Sequence, residues 1–137
     1  SFLTPLFRAE ATSAKVESFL SRQPVGVLAV SHWTRVEFAS VMAREVRMGL
    51  LDTATANALV AAFEALVDES LHLLIPTPAD FELARTFVAN FATNLRGPDA
   101  LHLAIVSNGV VEEVLTLDDG LLAAARMLKI KARRGIR

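Results

Sequence analysis

With 137 residues, 53% of them hydrophobic and 21% charged, the chain can bury one substantial core and is too short for two full-sized ones. Six glycines and five prolines are too few for a low-complexity chain, no apolar run approaches the roughly 18 residues of a membrane span, and the absence of cysteine excludes disulfides and thiolate metal sites, so a cytoplasmic protein is expected. The net charge of −1 is unevenly divided: residues 120–137 carry six basic and no acidic side chains, while the preceding 119 carry 8 basic and 15 acidic ones. A basic edge beside an acidic body suits nucleic acid or an acidic partner, and suits a solvated tail equally well.

In chain order, Phe2–Arg8 reads as a short helix interrupted at Pro5, and Ala11–Arg22 as a second one with Val16, Phe19 and Leu20 on one face, stopped by Pro24. Val25–Val30, nearly all apolar, has the pattern of a strand covered on both faces in a parallel sheet. Ser31 can cap the next helix, with Val36, Ala39, Ser40, Ala43 and Val46 along one face up to Gly49. Asp52 can cap a longer helix to about Ser70, carrying Leu59, Phe63, Leu66 and Val67. Leu71–Ile75 is a further buried strand, and Pro78 then suits the first turn of a helix to about Asn90. Gly97 and Pro98 open a helix through Ser107, with Asn108 and Gly109 as its stop. Val110–Leu117 is the next strand, Asp118 or Asp119 caps a last helix to about Leu128, and Ile130–Ala132 is a short edge strand. Strands alternating with helices imply one α/β domain over residues 1–137, with a central parallel sheet whose carboxyl ends carry the working site.

Three acidic residues fall at those strand ends or first helical turns: Glu37, Asp99 and Asp118. Carboxylates favour helix N-termini for capping and dipole reasons alone, which is a sufficient explanation for Asp99 or Asp118 taken singly. Glu37 differs, because the phrase Val36-Glu37-Phe38-Ala39 is otherwise apolar and an inward carboxylate there needs a partner. Converging carboxylates repel, and a hard cation between them relieves this. With no cysteine and no paired histidines, the ion would be Mg²⁺ or Mn²⁺, which suits phosphodiester hydrolysis. His102 shares a helix face with Asp99, but a histidine in an apolar helix is more often packed than a ligand. His32 and His72 lack zinc spacing, Trp33 and Phe63 suit core packing better than base stacking, and Arg96 beside Asp99 either holds a phosphate or tempers the acidic cluster.

Arg96-Gly97-Pro98-Asp99-Ala100-Leu101-His102-Leu103-Ala104 resembles the segment that carries the third acidic residue of PIN-domain ribonucleases of the VapC toxin type. Leu115-Thr116-Leu117-Asp118-Asp119, with Leu121, Leu122 and Ala124 after it, resembles the fourth, and Val36-Glu37-Phe38 within Ser31–Arg44 resembles the second. Order and spacing agree over essentially the whole chain. The resemblance implies a three-layer α/β/α fold and a Mg²⁺-dependent endoribonuclease acting as the toxin of a toxin–antitoxin pair. It implies metal-site roles for Glu37, Asp99, Asp118 and, less surely, Asp119, with Thr116 and Arg96 in support. It also implies RNA as substrate, a homodimer and a VapB-like antitoxin. Ser1-Phe2-Leu3 resembles the stretch just after the family's first catalytic aspartate, so Ser1 is a supporting residue, and the strand bearing that aspartate is expected to be missing ahead of it. On that expectation the chain starting at Ser1 is nearly inactive and poorly stable unless another segment fills the slot. Two other readings stay open: a PIN-like protein- or RNA-binding module impaired in catalysis, and a non-toxin PIN nuclease of RNA maturation. Finally, Met42, Val46, Met48, Leu50, Leu51, Leu59 and Phe63 exceed one buried stripe and are expected to cover another chain.

Overall fold

Helices alternate with short parallel strands in a mixed α/β structure, which the computed structural model describes over residues 2–136. Chain order gives α1 (Thr4–Phe7), α2 (Ser13–Leu20), β1 (Ala29–Ser31), α3 (His32–Arg47), α4 (Thr53–Ser70), β2 (His72–Leu74), α5 (Pro78–Ala89), a 3₁₀ turn at Phe91–Thr93, α6 (Gly97–Asn108), β3 (Val114–Leu115), α7 (Asp119–Met127) and β4 (Ala132–Arg133). The caps expected from sequence form as local hydrogen bonds. Ser31 Oγ accepts from Thr34 N at 3.3 Å while Thr34 Oγ1 accepts from Ser31 N at 3.3 Å, and Asp52 Oδ1 accepts from Thr55 N at 2.6 Å.

The strands are shorter than expected. Val25–Val30 contributes only its end to β1, because Gly26 takes a left-handed conformation (φ +77°) that turns the chain, leaving Val25 and Val27 exposed. Val110–Leu117 likewise shortens to Val114–Leu115, with Val110 in solvent. The strands form two parallel pairs instead of one central sheet. β1 pairs with β2 (Ala29↔His72, Val30↔Leu73, Ser31↔Leu74), and β3 with β4 (Val114↔Ala132, Leu115↔Arg133). Among the described residues no strand joins the pairs.

Side-chain packing links them instead. On α6, Ala100, Leu101, Ala104 and Ile105 pack with Leu74 and Trp33, whereas Leu103 packs with Val114 and Ala132. Elsewhere Phe2, Val16 and Phe19 form a cluster reached by Leu28, just ahead of β1, and by Leu115 of β3. Helix α6 is almost entirely apolar between Ala100 and Val106, which lets one helix serve both pairs.

A third cluster joins α3 to α4. Phe38 and Phe63 stack with centroids 4.3 Å apart, and Phe7 meets both edge-on at 5.1 and 5.7 Å. The buried stripe of α3 therefore runs through Phe38 and Met42, not through Val36, Ala39, Ser40 and Ala43, which are exposed. Small and apolar residues such as Val36, Ala39 and Ala43 also occupy the side of this helix away from Phe38 and Met42, so its pattern does not single out one face. The two large side chains, which bury the most area, go inward. The expected interface changes accordingly. Met42 and Phe63 are core, Val46, Leu51 and Leu59 pack against it, and only Met48 and Leu50 stay exposed. Arg35 adds a bidentate pair to Glu64, with Nε at 3.0 and 2.9 Å from its two oxygens, so α3 is also held to α4 by charge. No helix among the described residues is long and apolar enough to cross a membrane.

A candidate site of converging carboxylates

Glu37 lies in the second turn of α3, after β1, and Asp99 in the first turn of α6. Asp118 comes after β3 and caps α7. The three belong to separate segments, and the fold brings them to one region. Glu37 is joined to α6 by a hydrogen bond between its Oε2 and Nε2 of His102, which sits one turn beyond Asp99 on the same face of α6. Glu37 thus has the partner its apolar surroundings called for. His102, read from sequence as a packed or partly exposed histidine, is partly exposed, and its bond to Glu37 is the contact the sequence did not show. Its i+3 spacing from Asp99 was the available signal, but the partner stands 65 positions away.

Asp99 is half-buried, and burial is the main cause pushing its carboxyl above the usual aspartate range. Asp118 pushes in the same direction, His102 opposes it, Glu37 adds a smaller upward push, and Arg96 opposes. Both other candidate carboxylates therefore act on Asp99. Arg96 stands at the N-cap of α6.

Asp118 Oδ1 accepts from Leu121 N at 2.8 Å, which caps α7, and its own N–H donates to Thr116 Oγ1 at 3.1 Å. Thr116 is buried and its N–H donates to Arg133 O at 3.1 Å, so it anchors the turn that presents Asp118. Asp119 is exposed and paired with Arg134, and it is not among the charges acting on Asp99. Ser1 lies outside the described residues.

Among the described residues no group of three or more acidic or histidine side chains closes to metal-chelating distance. Glu37 is bonded to His102, and one oxygen of Asp118 is turned to the helix cap. The donor chemistry nevertheless fits a hard divalent cation. The set contains only oxygen donors apart from one histidine, and it centres on a half-buried carboxyl whose charge is disfavoured until something positive offsets it. Asp80, the one acidic side chain buried outright among the described residues, has a different task. It accepts from Thr77 N at 2.8 Å and from Asn108 Nδ2 at 2.9 Å, tying the start of α5 to the end of α6.

Comparison of the chain with protein-family models and with curated proteins finds no match.

Proposed function

We propose that the protein is a Mg²⁺- or Mn²⁺-dependent endoribonuclease with a PIN-like three-layer fold, the toxin of a VapBC-type toxin–antitoxin pair. The observation that carries this reading is that Asp118 and Glu37, from different segments, both act on the Asp99 carboxyl, with Glu37 held to α6 by its bond to His102. The order of these acidic residues along the chain supports it, as does the setting of Glu37 and Asp118 after the parallel strands β1 and β3.

Glu37, Asp99 and Asp118 would hold the ion. When bound, it supplies positive charge for the scissile phosphate and lowers the pKa of a water for attack. The chain's own residues prepare that setting: Thr116 fixes the Asp118 turn, His102 holds Glu37 beside Asp99, and Arg96 offsets part of the negative charge. The RNA substrate, the VapB-like antitoxin, the homodimer and the cytoplasmic setting rest on the family likeness.

Incubating the full-length protein and its Asp99→Asn variant with labelled RNA and Mg²⁺ or Mn²⁺ tests the reading. Metal-dependent cleavage by the parent and none by the folded variant is the expected result. Equal cleavage by both would remove Asp99 from the site. The rival reading, a PIN-like binding module without catalysis, draws on the lack, among the described residues, of three or more acidic or histidine side chains at metal-chelating distance. It requires that neither metal binds measurably and that the parent leaves RNA intact.

A further inference from the structure

The carboxylates account for the acidic half of the molecule's charge and leave the basic half without a task. An open groove between α7 and β4 is lined by Asp119, Leu122, Arg126, Ala132, Arg133 and Arg134. Asp119, Leu122 and Arg126 stand at i, i+3 and i+7 along α7, so they share one face and extend about 10 Å from the helix N-terminus. That N-terminus is capped by Asp118, so the groove begins at the carboxylate site and leads away from it. Leu122 and Ala132 give it an apolar floor while the three arginines stay exposed.

Two of the arginines already carry partners, Arg133 with Glu113 at 2.8 Å and Arg134 with Asp119. Arg133 also lies over the Phe19 ring, 6.0 Å from its centroid. Among the described residues Arg126 has no ion pair. Exposed pairs of this kind hold weakly, so a phosphate can displace the acidic partner of Arg134, and Arg126 is available to one directly.

We infer that this groove is a track for the phosphate backbone of single-stranded RNA, in which Arg126 and Arg134 contact successive phosphates and lead the strand to Asp118 and Asp99. The track rests on the nuclease reading and gives that site its substrate path. Contacts to phosphate position a strand without reading its bases, so the track is indifferent to sequence, and base selection lies elsewhere.

Binding is measured by fluorescence anisotropy in EDTA, where cleavage does not contribute. The probe is a fluorescein-labelled single-stranded RNA of about 20 nucleotides, longer than the ~4–16 that single-strand sites occupy. Across a salt series, Arg126→Gln and Arg134→Gln are each expected to weaken binding and to lower the slope of log affinity against log salt by about 0.7. Arg126→Lys, which keeps the charge, should retain the slope. Arg85→Gln, on the exposed face of α5, should leave both affinity and slope unchanged. Circular dichroism melts confirm that each variant is folded. Parent-like affinity and slope in the folded Arg126→Gln, Arg134→Gln double variant, or no binding by the parent, would overturn the track. The nuclease reading fails separately, on cleavage by Asp99→Asn, and that result leaves the arginine effect on binding intact.

Discussion

Asp118 carries two tasks that substitution can separate. Its Oδ1 caps α7 by accepting from Leu121 N at 2.8 Å, and its charge acts on Asp99. Asp118→Ala removes both. Loss of an N-cap acceptor costs about 1 kcal/mol within a range of roughly 0.5–2. For a chain between the size classes for which the conversion is known, that lowers Tm by about 3–5 °C. Asp118→Asn keeps the cap, since asparagine caps about as well as aspartate. It forgoes a dipole interaction of about 0.3–1 kcal/mol but relieves the repulsion on Asp99, so Tm in EDTA should stay within about 2 °C of the parent. Both variants should lose Mn²⁺ affinity by at least the ~10–100-fold typical of disturbing even an outer metal shell, and RNA cleavage with it. Thermal melts in EDTA, calorimetric Mn²⁺ titration and cleavage of labelled RNA read these effects. A fall in Tm for Asn as large as for Ala would mean that the charge itself serves the fold. Parent-like Mn²⁺ affinity in Asp118→Asn would remove Asp118 from the site.

Asp99→Asn should stabilise the metal-free protein at neutral pH. The Asp99 carboxyl is raised in the folded state, so its contribution is fully present below the ordinary aspartate pKa and is lost as pH rises through the folded value. The parent should therefore fall behind the variant across that window in urea midpoints measured in EDTA, and a constant difference between the two would contradict the reasoning. His102→Ala should free Glu37 and weaken Mn²⁺ binding by about 10–100-fold, while His102→Gln, which keeps a donor, recovers part of it, as calorimetry would show. Phe63→Ala should cost about 3–5 kcal/mol by emptying the space between Phe38 and Phe7, read as a loss of denaturant midpoint at every protein concentration. A purely concentration-dependent loss would return Phe63 to an interface.

Where an interaction spans three or four residues, its elements were legible in the sequence. Ser31, Asp52 and Asp118 cap the helices they were expected to cap, and Pro78 and Gly97 open α5 and α6, because capping is decided by neighbours along the chain. Asp99 and Asp118 could be singled out for the same reason, since each stands beside such a boundary, and Glu37 by the apolar residues on either side of it. Tertiary structure decided the rest. Nothing local says that α3 turns Phe38 and Met42 inward, when small and apolar residues also stand on its other side; the stacking of Phe38 on Phe63 from α4 selects that face. The extent of Val110–Leu117 is likewise non-local, because it shrinks to the two residues that pair with β4, whereas Val25–Val30 is shortened by the turn at Gly26. The Glu37–His102 bond joins positions 65 apart, and it determines how these carboxylates stand toward one another. A sequence can supply the charges of such a site, but their separation is set by packing between helices that meet only in the folded chain.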